Sequence, residues 1–245
     1  MKQSLFTITE NECLAQGIWR MRLQGDTSAI TAPGQFVNLK LDGFFLRRPI
    51  SVNDLEGDTV TIIYKVLGEG TEQMTQYPVG KVIDMLTGLG NGYDVAKSGD
   101  KPLLVGGGVG IPPLYLLCRR LMAQGKHPRV VLGYNTASEI FLADDFRALG
   151  AEVTVLTADG SFGAKGLVTD GIQAESGDYT YLYTCGPEPM LKAVYGVVET
   201  SGQFSFEERM GCGFGACMGC TCKTKYGNKR ICKDGPVLEK EEIVW

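Results

Sequence analysis

Four cysteines late in the chain have the type and spacing to hold metal. Cys212, Cys217 and Cys220 stand at C-x4-C-x2-C within Met210-Gly211-Cys212-Gly213-Phe214-Gly215-Ala216-Cys217-Met218-Gly219-Cys220, and Cys232 follows. This is the ligand rhythm of a plant-type [2Fe-2S] cluster, in which two sulfide-bridged irons take four thiolates. A short loop must turn back on itself to present three of them. Gly211, Gly213, Gly215 and Gly219 allow that turn and bring amide N–H groups close to the sulfurs. Zinc sites usually pair C-x2-C knuckles, so the wider gap suits zinc poorly. A disulfide framework belongs to exported chains, and nothing here suggests export. Cys222 falls outside the rhythm and reads as a bystander thiol. The fourth cysteine arrives sooner than in soluble plant-type ferredoxins, so this is not a ferredoxin domain carried over whole.

The elements that must position this loop are those of an ordinary globular chain. The sequence has 245 residues, 44% hydrophobic and 21% charged, enough for one or two domains with substantial cores. A net charge of −4 with no Lys/Arg run gives no reason to expect nucleic acid. The start, Met1-Lys2-Gln3-Ser4-Leu5-Phe6-Thr7, lacks a signal-peptide core, and no stretch is apolar enough to span a bilayer. Eight cysteines without export signals point to a reducing, cytoplasmic setting. The one histidine, His127, sits beside Pro128 in a polar turn and reads as a surface residue, which disfavours a Ser/His/Asp triad.

Residues 1–99 read as a small antiparallel barrel of about six strands. Alternation is clear at 6–9, 18–23 and 36–41, and a longer strand spans 58–66, with breakers between them. Two motifs stand out. Leu46-Arg47-Arg48-Pro49-Ile50-Ser51 opens a strand, which alone could be a solvated edge. Gly68-Glu69-Gly70-Thr71 follows a strand and opens a short helix, a place where free N–H groups meet an anion. Residues 100–204 then alternate strand and helix, which argues a parallel sheet with ligands at the carboxyl ends of its strands. Strands are expected at 101–105, 129–133, 152–156 and 179–183, and helices at 114–121, 143–149, 166–174 and 188–199. The first strand runs into Gly106-Gly107-Gly108-Val109-Gly110-Ile111-Pro112-Pro113. Ile111 and Pro113 stand where a third glycine of the dinucleotide fingerprint might be sought, and no acidic residue follows at the usual point. Thr184-Cys185-Gly186-Pro187 ends the fourth strand. After Gly133 comes Tyr134-Asn135-Thr136-Ala137 with no arginine to meet a 2′-phosphate, which favours NAD over NADP. Residues 205–245 form a small [2Fe-2S] domain. Phe204-Ser205-Phe206 could pack on the nucleotide domain or on a subunit interface, and the Glu239-Lys240-Glu241-Glu242 run reads as a solvated face.

In this order the motifs resemble the ferredoxin reductase superfamily, a β barrel plus α/β fold. The resemblance implies FAD contacts at Arg48, Pro49, Ile50 and Ser51, at Ile63, Tyr64 and Lys65, and at Gly70 and Thr71. The superfamily more often has an aromatic residue where Ile50 stands. NAD would meet Gly106, Gly107, Gly108 and Gly110, with Cys185, Gly186 and Pro187 bordering the nicotinamide. With the cysteine run, essentially the whole chain resembles the electron-transfer subunits of class 1B dihydroorotate dehydrogenases. That likeness implies an FMN-containing catalytic partner in a two-plus-two heterotetramer that serves pyrimidine biosynthesis. Electrons would pass from FMN through [2Fe-2S] and FAD to NAD. No catalytic acid, base or nucleophile is then needed here. Two other readings stand beside it. One is a subunit of a sulfide dehydrogenase or NADPH:ferredoxin transhydrogenase, some of which replace one cluster cysteine by aspartate and prefer NADP. The other is a redox-sensing module without catalysis, which intact FAD and NAD motifs disfavour.

Overall fold

A computed structural model describes residues 1–175 and 178–245. Six strands close into an antiparallel barrel. They are β1 (Lys2–Ala15), β2 (Ile18–Gln24), β3 (Phe36–Leu39), β4 (Arg48–Glu56), β5 (Thr59–Lys65) and β6 (Val82–Leu89), in the order β1-β2-β5-β4-β3-β6. Alternation puts Phe6, Met21, Val37, Leu39, Val52 and Ile62 in the interior, all under 1% exposed. Each such burial stabilises the fold by about 1.5–3 kcal/mol. A short helix, α1 (Glu69–Thr75), joins β5 to β6. The sixth strand was the least visible beforehand, because its sequence, VIDMLTGL, is broken by Gly88 at φ +65°.

The second half folds as β7 (Pro102–Gly107), α2 (Pro112–Ala123), β8 (Arg129–Tyr134), α3 (Ala143–Ala148), β9 (Glu152–Thr157), β10 (Ala164–Lys165), α4 (Val168–Ala174), β11 (Tyr181–Cys185), α5 (Glu188–Val197) and β12 (Gly202–Ser205). Prolines occupy the first turn of α2, where no intrahelical N–H is lost. A hairpin follows, β13 (Thr221–Thr224) with β14 (Gly227–Arg230), and the chain then returns as β15 (Val237–Glu239). The large sheet runs β10-β9-β8-β7-β11-β12-β15, parallel except for β15. Its last two strands flank the cysteine loop in sequence, so one sheet holds both ends of that loop. No helix among the described residues is long and apolar enough to cross a membrane.

This edge decides one open reading, for Phe204, and overturns another. Phe204 is 0% exposed on β12 and packs in the nucleotide sheet, while Phe206 meets Trp245 at 5.6 Å between ring centroids. The run at 239–242 is not a solvated face. Glu242 is 6% exposed and pairs with Lys229 at 2.5 Å. Glu239 accepts hydrogen bonds from Lys97 (2.7 Å), Gln203 (2.8 Å) and Tyr181 (2.9 Å). Strand β15 and the 3-10 turn after it carry these carboxylates against the sheet, where a charge count along the sequence could not place them.

Candidate functional site

The barrel's contribution is a cleft of about 640 Å³ at the start of β4 and α1, lined among others by Phe44, Arg48, Gly70, Thr71 and Arg209. Arg48 stacks its guanidinium over Phe44, 4.4 Å from the ring centroid. Gly70 makes room for it, since a Cβ there would lie 2.4 Å from Arg48 Nε. The Thr71 hydroxyl turns back to accept from the amides of Leu67 (2.9 Å) and Gly68 (3.2 Å), fixing the helix start. The cleft thus gathers two guanidinium groups and a helix start, a donor set suited to an anionic phosphate. Of the other residues expected here, Ile50 pairs with Val37 and packs on the barrel core. Pro49 and Ser51 stand beside it on β4, paired with Asn38 and Phe36. Tyr64 is buried inside the barrel with its hydroxyl on Asn11 Oδ1 at 3.1 Å, and Ile63 packs toward the nucleotide domain. Lys65 lies 3.9 Å from Glu139 across the boundary between barrel and sheet. Phe44 and Arg209 carry no motif in the sequence, because only the fold brings them to this cleft.

The two glycine-bearing turns of the nucleotide domain meet at the carboxyl ends of adjacent strands. Gly106 of β7 is registered against Cys185 of β11, where strand order reverses. They touch backbone to backbone. A Cβ on Gly110 would lie 2.4 Å from the Cys185 carbonyl oxygen, and one on Gly107 would lie 2.5 Å from Met190 Sδ. Gly108, at φ +52°, needs the left-handed region. Pro187 leads into α5 behind the turn. Burial pushes the Cys185 thiol up to about 12, so it stays protonated beside Ser205 and Tyr93. The Tyr93 hydroxyl donates to the Thr184 carbonyl at 3.1 Å and ties the segment that leaves the barrel to this corner.

The cysteines form two pairs. The Cys212 amide donates to Cys217 Sγ (3.5 Å), and the Cys217 amide to Cys212 Sγ (3.4 Å), joined by the Ala216 amide (3.2 Å). The Cys232 amide donates to Cys220 Sγ at 3.4 Å. The first pair is at the surface side and the second is buried. Burial raises the Cys212 thiol, but the amides of Phe214, Cys217 and Ala216 outweigh it and bring the group down to about 6. Burial, with the neighbouring Cys220, pushes Cys232 up to about 12. Arg230 steadies the loop, donating to the Gly215 carbonyl (2.8 Å) while paired with Asp234 (2.9 Å). Among the described residues no three such groups converge as ligands of a single ion. A mononuclear zinc site would need all four around one centre, whereas a dinuclear cluster gives each iron two thiolates. The first pair lines a cleft of about 390 Å³ together with Phe45, Leu46 and Arg47 of the barrel.

A closed antiparallel barrel, a parallel nucleotide sheet and a paired-cysteine loop define an iron–sulfur flavoprotein of the ferredoxin-reductase class. Residues 207–244 match the family described as iron-sulfur cluster binding domain of dihydroorotate dehydrogenase B, and residues 104–195 match the oxidoreductase NAD-binding domain. The chain is 42% identical to the dihydroorotate dehydrogenase B (NAD(+)) electron transfer subunit of Bacillus pumilus, covering 99% of this chain and 98% of that one. The subunit of the same name from Fusobacterium nucleatum is 43% identical, with 99% of each covered. The chain belongs to this family of electron transfer subunits. Among solved structures, a study of electron bifurcation in the NADH-dependent reduced ferredoxin-NADP oxidoreductase contains a chain similar at TM-score 0.90 and 28% identity, covering 99% of this chain and 90% of that one. The ferredoxin reductase of carbazole 1,9a-dioxygenase shares the fold at TM-score 0.71 and 19% identity, with 80% and 65% covered.

Proposed function

We propose that this chain is the electron-transfer subunit of an NAD-linked dihydroorotate dehydrogenase, paired two-plus-two with an FMN-bearing catalytic subunit in the cytoplasm. Cys212 and Cys217 would hold one iron of the cluster, and Cys220 and Cys232 the other. Arg48 and the amides opening α1 would hold the FAD pyrophosphate, with Pro49, Ile50 and Ser51 along the ring. Gly106, Gly107, Gly108 and Gly110 would admit the nicotinamide nucleotide, with Cys185, Gly186 and Pro187 beside its reacting ring. FAD, when bound, supplies the exchange between single electrons from the cluster and a hydride for NAD. The chain's own work is positioning, and the protonated thiol of Cys185 places no charge beside the nicotinamide. Pairing of the cysteines, with Cys212 and Cys217 beside the barrel, is the observation that carries this reading, since a one-electron centre held there would lie near the proposed flavin site.

The test is reconstitution. Purified chain and the FMN-type dihydroorotate dehydrogenase of the same organism are mixed without oxygen, given dihydroorotate and NAD, and followed by NADH absorbance. NADH formed only when both proteins are present supports the reading. NADH that bleaches the chain's flavin and cluster while dihydroorotate yields none would retain the redox module and remove the pathway. The likeness at TM-score 0.90 to the bifurcating reductase chain favours one second reading, a subunit serving an NADPH:ferredoxin transhydrogenase. NADH-dependent reduction of NADP by reduced ferredoxin, with no NADH formed from dihydroorotate, would select it.

A further inference from the structure

We infer that Asn38 is the positioning residue that seats the cluster loop on the flavin-bearing sheet and so governs electron passage between the two groups. The inference rests on the flavin-and-cluster reading above. Asn38 lies on β3 directly opposite Pro49 of β4, the strand proposed to carry the flavin, and is 1% exposed. Its Nδ2 donates to the carbonyl of Cys212, the first cysteine of the loop, at 3.4 Å. A carbonyl on that side sets the orientation of the carboxamide. Its Oδ1 is buried and takes no donor from the described residues, an unfavourable arrangement that a leucine of similar size would avoid. Stability alone therefore does not account for asparagine at this position.

Two neighbours tighten the same seat. Gly213 packs on Asn38 at φ +75°, where a Cβ would stand 2.3 Å from Nδ2, so the approach admits no side chain. Arg47 donates to the Asn38 carbonyl (3.3 Å) and pairs with Asp84 (3.0 Å), and it lines the cleft that Cys212 and Cys217 also line. The Asn38 amide thus fixes the carbonyl of Cys212, the residue whose N–H, in the preceding peptide plane, points at Cys217 Sγ. Donors around the thiolates set the potential of such a centre, and their loss disfavours its reduced, more negative form.

The experiment uses the full chain with its cofactors, as wild type, N38L and G213A. Iron and flavin contents are measured first. Cluster potential is then titrated anaerobically, and rapid-freeze electron paramagnetic resonance follows cluster reduction after NADH is added. With cofactor contents intact, N38L is expected to slow cluster reduction by NADH severalfold. It should also shift the electron partition from cluster toward flavin by about tenfold, equivalent to ~59 mV for a one-electron couple. G213A, whose methyl would press on Asn38 Nδ2, should reproduce both changes with Asn38 itself unsubstituted. Wild-type rate and potential in a fully loaded N38L would overturn the inference. If N38L loses the cluster, N38S decides, because its hydroxyl keeps a donor. Restored cluster content supports the role, and serine as defective as leucine refutes it. Absence of iron or flavin in the wild type would instead undo the underlying reading.

Discussion

At the scale of single residues, the proposed cofactor sites are tested most directly at the thiols and at one glycine. Replacing Cys220 by serine removes one member of the buried pair, and the expected result is loss of the cluster's visible absorbance while flavin remains. Iron content equal to wild type would show that Cys220 is not a ligand. Gly70→Ala acts differently, because the new methyl would collide with the flexible Arg48 guanidinium and displace it from the cleft. The fold should be little changed, whereas FAD affinity should fall roughly tenfold to a hundredfold, the worth of one charge-assisted hydrogen bond of about 1.5–3 kcal/mol. Fluorescence titration of apoprotein with FAD measures it. The iron–sulfur segment was legible from cysteine spacing alone, since the rhythm is local. Arg209 and Asn38 were not, because each acts through a neighbour distant in sequence, and Phe44, though close to Arg48, carries no motif of its own.

At the scale of elements, the edge strand β15 carries a carboxylate whose ionisation matters. Burial raises the Glu239 carboxyl, but hydrogen bonds from Lys97, Gln203 and Tyr181 prevail and hold it below the ordinary glutamate value. A depressed native value means that Glu239 contributes stability above the unfolded-state value. That contribution is lost as pH falls through the native one. The side chain is about one-third exposed, so the contribution is a modest, screened one. Melting temperature of the wild type should therefore fall through the acidic range, and Glu239→Gln should be less stable at neutral pH with a flatter acid limb. Equal acid limbs in both proteins would contradict this. The barrel strands and the alternating strands and helices of the nucleotide domain were readable from period-two and helical patterns. Strands β12 to β15 are only three or four residues long, too short for a period to register, and β15 is defined by its partner rather than by its own composition.

At the scale of the whole molecule, residues 90–99 stitch barrel, sheet and cluster segment together. Asn91 Nδ2 donates to the Val237 carbonyl (2.7 Å), its Oδ1 accepts from the Val237 amide (3.1 Å), and its own amide donates to the Gly235 carbonyl (2.7 Å). Gln203 Oε1 accepts from the Asp94 amide at 2.9 Å, and Arg119 of α2 pairs with Asp54 of β4 at 2.7 Å. Unfolding should therefore be one cooperative calorimetric transition. Asn91→Ala, which leaves the Val237 amide without its partner, should lower the melting temperature by roughly 2–6 °C, about 1–2 kcal/mol in a chain of this size. Two separated transitions would show that the modules melt independently. The cysteine loop, for its part, departs from β12 and comes home at β15, two strands hydrogen-bonded to each other. A protease nick within residues 207–219 of the cluster-free chain would thus release no tail. Both fragments would still be clasped by the sheet, co-migrating on a sizing column and parting only in denaturant.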